Sequence, residues 1–579
     1  MLLLVGTHLA FAIAAFVVFG FNSYHPTDHG FALGASWRVA QGELPYRDFI
    51  WLRPPGTPYL HAFAMLLPES WTLLATRLVY YLEMTGAALL PALWALRFSR
   101  RPRSLVVASL TFLCIALHNF PAMAWYTVDA VFAASAGLAA LAASITSPRR
   151  RIAWRSVASL ALFAAALFKQ PFAGLPVGLL VWALIEWSDG DGPERARLAL
   201  ASLVPGAVLW LATGLALAGA GALPDAVDQL SRASRLEDLV QAGLLAYSDT
   251  LQPGVGFMTF GGILAWGTLA PRNADRRAPL ATLCFGLTFA SVLWLAATPG
   301  HAGHSLFYLL LGAGLVRGGL WLRSSERWAD DPSARQARAR LVFHAGLLAV
   351  AWCASISWSQ QTPLLGLAAA AVVLEDLVPC PKPAWLGRLG LATTALVAVG
   401  FFGFENALHP YRDAPLTRQT AALHEILPRF GRLYTHPGHA ERFGDLLELI
   451  ERHATNPERP FTVLRSFPAI HFLTGRSSPV RTDWYLPLEA SGFQAEHRAE
   501  LEQLDGIVFF QREGYVGRRP LSRRATGDCA ASEFAESPNF LQAVFTAGRL
   551  LASSRAFCVV EMPGTLPPAA AHVPRRLTR

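Results

Sequence analysis

The feature that most constrains this chain is a series of long apolar runs separated by short, arginine-rich loops. Of its 579 residues, 53% are hydrophobic and only 15% are charged, whereas soluble domains carry about 25% charged residues. A membrane-spanning helix needs about 20 consecutive, mostly apolar residues. The runs therefore predict a polytopic α-helical membrane protein with thirteen spans, at 2–21, 71–97, 104–118, 122–146, 152–168, 171–187, 197–221, 254–270, 279–298, 304–322, 341–358, 363–379 and 385–404.

The arginines predict the direction of each span. They cluster after the second, fourth, sixth, eighth and tenth spans, for example at 149–151 and in the loop 323–340. Because basic loops stay on the cytoplasmic side of a membrane, we expect a cytoplasmic N-terminus. The loop 22–70 and the region after residue 404 are then outside. The first run has no basic start and no clear cleavage site, which favours an anchor over a cleaved signal peptide.

The net charge of +9 does not indicate nucleic-acid binding. Much of the positive charge lies between the apolar runs, where it sets the orientation of the helices. The sequence also shows neither a metal-ligand spacing nor a glycine-rich phosphate loop. No cofactor is therefore predicted, and the use of a divalent metal ion stays open.

The composition changes after residue 404, where strand-like and helical stretches alternate. Strands are predicted at Phe461–Leu464, Gly506–Phe510 and Ala556–Glu561, and helices at 440–454 and 532–547. We therefore divide the chain into a transmembrane domain, 1–404, and a small periplasmic α/β domain, 405–579.

Two cysteines, Cys529 and Cys558, fall in this tail. Disulfides form and persist on the oxidising side of a membrane. We expect a disulfide between these two residues, and the alternative is a pair of buried free thiols.

The loop 22–70 carries the strongest candidate for chemistry. It begins Asn22-Ser-Tyr-His-Pro-Thr-Asp28, and Trp37 lies among polar residues in a stretch typical of a short interfacial helix. An acidic residue at a membrane exit can meet a substrate at the lipid surface. The alternative for Asp28 is a helix cap in a solvated loop.

Four short motifs resemble those of the GT-C type membrane glycosyltransferases, in particular the protein O-mannosyltransferases and the bacterial lipid A aminoarabinose transferases. These motifs are Asp28 with the run from Arg38 to Tyr46, Arg53-Pro54-Pro55, Lys169-Gln170-Pro171, and the segment 467–476. The mannosyltransferases have Asp-Glu where this chain has Asp28-His29, so neither the sugar nor the acceptor follows from the resemblance.

The resemblance implies transfer of a sugar from a polyprenyl-phosphate donor to a cell-envelope acceptor. Asp28 would supply the general base for an acceptor hydroxyl. Arg53 and Lys169 would stabilise the leaving phosphate, because negative charge builds on it in the transition state. The alternative for Lys169 is a side chain that snorkels to the membrane interface.

Four further residues each have two possible interpretations. Asp129 is a second acidic site residue or a buried helix contact. Asp48 is a second carboxylate of the site or a turn residue. His301 and His304 bind phosphate or acceptor, or lie in a plain loop.

The sequence therefore predicts a glycosyltransferase on the outer face of a bacterial inner membrane, acting on an envelope glycan, lipid or protein. The alternatives are an O-antigen ligase or polymerase and a transporter or flippase. A transporter would carry polar residues along a path at mid-membrane, whereas here they concentrate at the outer ends of the runs. The sugar, the acceptor and the oligomeric state do not follow from the sequence.

Overall fold

The computed structural model describes residues 1–117, 120–188, 192–233, 243–245, 247–269, 299–324, 328–329, 331–356, 362–378, 384–464, 467–482, 484–485, 491–512, 529–531 and 539–564. The chain packs into two compact units. The helical unit comprises Met1–Val17, Val79–Leu215 and Leu236–Asn406. The tail unit comprises Val18–Leu78, Ala216–Arg235 and Ala407–Arg579, so it joins the predicted outer loop 22–70 to the C-terminal region.

Long apolar helices dominate the first 408 residues. Within the described ranges, nine helices are long and apolar enough to cross a membrane, at Leu2–Phe19, Glu69–Leu96, Tyr126–Thr146, Pro148–Phe168, Gln170–Ser188, Pro193–Gly219, Gly303–Arg323, Pro332–Ser355 and Gly387–Leu408. Further helices in this part of the chain are Asp28–Ala40, Gly56–Ala62, Pro102–Leu117, Leu223–Ala233, Leu251–Leu269 and Ala370–Leu377. This is the architecture of a multi-pass membrane protein, and most predicted spans match a helix to within a few residues. The ninth predicted span, 279–298, lies outside the described residues, so the total of thirteen stays a prediction.

The twelfth predicted span, 363–379, is not one continuous helix, and its crossing of the membrane is not confirmed. It consists of a 3-10 helix, Pro363–Leu367, and an eight-residue helix, Ala370–Leu377. Eight residues of α-helix rise only about 12 Å, whereas the hydrocarbon core is about 30 Å thick. All five residues of the 3-10 helix are buried. The run is apolar because it lies inside the protein, and hydropathy alone does not separate that case from a span.

The C-terminal region contains a four-stranded sheet of strands β3 (Phe461–Leu464), β4 (Asp505–Gln511), β6 (Phe557–Pro563) and β5 (Arg549–Ser553), in that spatial order. Strands β3 and β4 are parallel, whereas β6 is antiparallel to both β4 and β5. A two-stranded ladder pairs β1 (Ala421–Ala422) with β2 (Tyr434–Thr435). Helices in this region are Pro437–His453, Ile470–Thr474, Gln494–Glu502 and Asn539–Ala547. The three predicted strands and the α/β character of the tail are confirmed.

A disulfide joins Cys529 to Cys558, with Cα atoms 5.9 Å apart. Cys558 lies in the central strand β6 and is fully buried, opposite Phe510 of β4. Cys529 packs against the same hydrophobic core. The predicted bridge is confirmed, and it attaches Cys529 to one of the two inner strands of the sheet.

Candidate functional site

Asp28 is the first residue of the helix Asp28–Ala40, which we call the loop helix. Ten of the 13 residues of this helix are buried. The sequence predicted an amphipathic helix lying on the membrane surface, but the structure shows one that is packed inside the tail unit. The helical prediction is confirmed, and its position at the membrane interface stays a prediction.

Two glycines explain why the loop helix packs so closely. A Cβ atom on Gly34 would lie 2.4 Å from the carbonyl oxygen of Pro468, and one on Gly30 would lie 2.9 Å from the backbone nitrogen of Ala469. The loop helix and the segment 467–476 therefore contact each other through their backbones. Farther along, the rings of Trp37 and Phe472 are 5.8 Å apart, nearly perpendicular. The two motifs that carried much of the family resemblance thus form one packed element.

The carboxylate of Asp28 is bound by two side chains that come from a remote part of the chain. The hydroxyl of Tyr411 donates to Asp28 Oδ2 at 2.6 Å, and Arg412 Nη1 lies 2.8 Å from the same oxygen. Asp28 as a residue is only 8% exposed. A carboxylate that is buried to this extent must be paired and hydrogen-bonded, because desolvation of a charge is costly. Sequence reasoning did not identify either partner.

A signal for these partners is nevertheless present in the sequence. The tetrapeptide Pro-Tyr-Arg-Asp occurs twice, at 45–48 and at 410–413. Each copy contains a residue with positive φ, Tyr46 at 73° and Arg412 at 52°. Such angles are uncommon outside glycine and often mark turns or functional sites. The repeat therefore marks two sharply turned segments of the tail unit, of which the second contacts Asp28.

Two histidines, His25 and His29, lie close to Asp28 in the chain, and His25 is near its carboxylate. His25 Nδ1 lies 3.6 Å from Asp28 Oδ2, and the His29 Nδ1 atom accepts a hydrogen bond from the His25 backbone at 2.8 Å. Burial lowers the pKa of His25 well below its ordinary value, and Arg412, His29 and His439 lower it further. Burial also lowers the pKa of His29, with Arg77 next in effect. Both imidazoles are therefore neutral near pH 7, and they add no positive charge beside Asp28.

Asp48 lies in a turn at the other end of the loop helix. Its carboxylate accepts a hydrogen bond from the Leu44 backbone at 2.8 Å and pairs with Arg47. Burial raises the pKa of Asp48, but the hydrogen bonds from Arg47 and Leu44 outweigh burial, so the net shift is downward. The Asp48 carbonyl accepts from Arg38, ten residues along the helix from Asp28, which corresponds to about 15 Å. These contacts favour the turn interpretation over a paired carboxylate.

Arg53 lies in the same loop and is 6% exposed. Its Nη1 donates to the Leu52 carbonyl at 3.0 Å, and its own carbonyl accepts from the Tyr46 hydroxyl at 2.7 Å. The tail unit thus contains Asp28, Asp48 and Arg53.

The helical unit contains Lys169 and Asp129. The Lys169 ammonium donates to the carbonyls of Cys353 and Ala354 at 3.3 and 3.2 Å, at the carboxyl end of the helix Pro332–Ser355. It is 3% exposed, so it does not snorkel to an exposed surface. Asp129 is buried, and its carboxylate lies within 4.8 Å of the carboxylate of Glu83.

The two predicted histidines lie at the start of the helix Pro299–Arg323 and not in a loop. His304 is buried, and its ring packs edge-on against Tyr247 at 4.9 Å. The side chain of His301 lies outside the described residues. Phosphate binding by either histidine stays a prediction.

Comparisons with known proteins find similar solved structures, but no matching family model. No protein-family model matches the sequence, and no curated protein matches it. Two crystal structures of ArnT from Cupriavidus metallidurans are similar to the chain, one in the apo state and one bound to undecaprenyl phosphate. Each is 15% identical, and the alignments cover 96% of this chain and 97% of that chain, with TM-scores of 0.44 and 0.43.

ArnT is the lipid A aminoarabinose transferase, a GT-C glycosyltransferase. The structural neighbours therefore come from one of the two families that the sequence motifs resemble. At this identity and TM-score, the likeness assigns neither a sugar, nor an acceptor, nor a site residue to this chain.

Proposed function

We propose that this chain is a membrane glycosyltransferase of the inverting GT-C type. It transfers a sugar from a polyprenyl-phosphate donor to an envelope glycan, lipid or protein on the outer face of a bacterial inner membrane. The observation that carries the proposal is the carboxylate of Asp28, which is buried and bound by Tyr411 and Arg412. Acidic groups held in such a setting are candidates for acid–base chemistry.

The contacts of Asp28 speak against a purely capping role. A capping side chain accepts a hydrogen bond from a backbone N–H of its own first turn. The Asp28 carboxylate instead contacts two side chains that are 383 and 384 residues further along the chain. The residue at the N-cap position, Thr27, makes no side-chain cap hydrogen bond. The chain thus brings together a remote tyrosine, arginine and aspartate, which helix capping alone does not require.

In the proposed reaction, Asp28 accepts the proton of the acceptor hydroxyl as its oxygen attacks the anomeric carbon of the sugar. The bond from that carbon to the polyprenyl phosphate breaks, and the phosphate leaves with the electron pair. Cations stabilise the leaving group because negative charge accumulates on it. We propose Arg53 and Lys169 for this role, with His301 and His304 as further candidates and Asp129 as a second acidic residue of the site.

The experiment compares Asp28→Asn with Asp28→Ala in a strain that lacks the chromosomal gene. Mass spectrometry of envelope glycolipids and glycans first identifies the product lost in the deletion strain. General-base assistance contributes about 10²–10⁴-fold, so Asp28→Asn should lose at least that much transfer activity at normal expression. An amide keeps the size of the side chain and can still accept from Tyr411, which limits the loss of stability.

The matched control is Asp48→Asn, because Asp48 is the other candidate carboxylate of the loop and its contacts are those of a turn. This variant should retain most of its activity. If Asp28→Asn gives near-normal amounts of product and only Asp48→Asn loses product, Asp28 does not take part in the reaction.

A further inference from the structure

We infer that Tyr411 and Arg412 are positioning residues for Asp28: they fix the orientation of its carboxylate and keep it ionised. The inference rests on the proposed function, in which Asp28 is the general base. Both residues belong to the segment that directly follows the helix Ala384–Leu408. The C-terminal region would then contribute to the reaction centre itself as well as to the periplasmic sheet.

The geometry of the two contacts carries the inference. Tyr411 and Arg412 are consecutive, and both reach the same oxygen, Oδ2, at 2.6 and 2.8 Å. Hydrogen bonds to a carboxylate are short and strong when the acceptor is charged. Two donors on one oxygen define the rotation of the carboxylate group, and they favour its charged form over its protonated form.

The local backbone indicates that this arrangement is imposed by the surrounding structure. Arg412 has a φ of 52°, which is unfavourable for a residue with a long side chain. Its guanidinium lies 5.0 Å over the ring of the preceding Tyr411. The next residue, Asp413, anchors the segment: its carboxylate accepts from Thr435 Oγ1 at 2.7 Å and from the Ala414 backbone at 2.7 Å. Strained conformations persist where neighbouring contacts hold them in place.

Arg412 contacts the Asp28 carboxylate directly, and the other charged or titratable groups described around it are His25, His29, His439 and Arg77. His25 Nδ1 is 3.6 Å from the carboxylate, and the rings of His25 and His29 lie 6.2 and 6.5 Å from the ring of Tyr411. Burial holds the pKa of both histidines well below the ordinary value, which disfavours their charged forms. Removing the Arg412 charge should therefore make Asp28 harder to ionise.

The consequence is a specific change in pH dependence. A base must be deprotonated to act, so activity falls on the acid side where Asp28 takes up a proton. An adjacent opposite charge typically moves that point down by about one to three pH units. Loss of Arg412 or of the Tyr411 hydroxyl should move the acid limb of the pH–activity profile upward.

The experiment measures transfer by full-length protein in native membranes as a function of pH, with the product defined by the deletion strain. We expect the acid limb of Arg412→Gln to move up by about one pH unit or more, and that of Tyr411→Phe to move in the same direction. Arg412→Lys keeps the charge and should stay near the wild-type profile. Arg47→Gln is the matched control: it changes the arginine of the other Pro-Tyr-Arg-Asp copy, which pairs with its own neighbour Asp48, and should leave the limb in place.

A merely structural role would lower the amount of folded protein without moving the acid limb. If the acid limb stays in place in both Arg412→Gln and Tyr411→Phe while Asp28→Asn is inactive, this inference is wrong. The proposed function then still stands. Substantial activity of Asp28→Asn instead overturns the part of the proposed function in which Asp28 is the base. Should Arg412→Gln fail to accumulate, Tyr411→Phe decides the matter, because it removes a single oxygen atom.

Discussion

At the scale of single residues, the contacts of Lys169 give it a structural role. Its ammonium caps the carbonyls of Cys353 and Ala354 and lies 5.8 Å from the centre of the Tyr126 ring. Cations stabilise helix carboxyl ends because they complement the helix dipole. The three contacts account for the burial of this lysine without a phosphate, and phosphate binding would be an additional role.

We predict that Lys169→Ala destabilises the protein by about 1–3 kcal/mol, because it leaves buried carbonyl groups without their donor. Thermal inactivation of the purified protein in detergent would measure this loss. Lys169→Arg keeps the charge and should be milder, although the guanidinium fork has a different shape. If Lys169 also binds the donor phosphate, Lys169→Ala raises the apparent KM for the donor at temperatures where the variant is folded. An unchanged KM would assign this lysine to capping alone.

At the scale of elements, the contact between the loop helix and the segment 467–476 depends on the absence of side chains at Gly30 and Gly34. The atom nearest to a Cβ on Gly34 is a backbone oxygen, which no rotamer change can move aside. The loop helix carries Asp28 at its first residue. A shift of the helix would therefore displace the carboxylate from Tyr411 and Arg412.

We predict that Gly34→Ala destabilises the tail unit by about 1–3 kcal/mol, the usual cost of overpacking a close contact. Helix propensity alone predicts the opposite result, because alanine stabilises a helix by about 1 kcal/mol relative to glycine. The control is Gly444→Ala in the helix Pro437–His453, where an added Cβ meets nothing within 4 Å. That variant should be neutral or more stable. Thermal unfolding of both variants would compare them, and equal stability would contradict a tight contact at Gly34.

At the scale of the whole molecule, the arginine pattern predicts which side of the membrane each loop faces. Ser333 follows the tenth predicted span and is expected inside, whereas Glu448 lies in the C-terminal region and is expected outside. Both residues are exposed. Among the described cysteines, Cys114 and Cys353 are buried and the other two are bridged.

We predict that Glu448→Cys is labelled in intact cells by a membrane-impermeant thiol reagent, and that Ser333→Cys is labelled only after permeabilisation. The unmodified protein gives the background from its own cysteines. Labelling of Ser333→Cys without permeabilisation would reverse the orientation and place the Asp28 loop in the cytoplasm.

The sequence by itself determined the properties that depend on neighbouring residues. The length and composition of apolar runs specify spanning helices, since a helix in lipid satisfies its own backbone groups. In the same way, the strand-like runs at 461–464 and 506–510 identified β3 and β4. The loop helix also followed from its local pattern. Its burial did not, because that depends on a segment more than 400 residues further along the chain.

Only the tertiary structure decided which side chains meet. Asp28 was identifiable from its place after the first span, but its contacts with Tyr411 and Arg412 join residues separated by 383 and 384 positions. Asp48 is far closer to Asp28 in sequence, yet its carbonyl is bound by Arg38, which lies ten residues, or about 15 Å, along the loop helix from Asp28. The apolar run 363–379 folds as two short buried pieces for a related reason. Hydropathy records that a segment avoids water, whereas packing decides whether lipid or protein surrounds it.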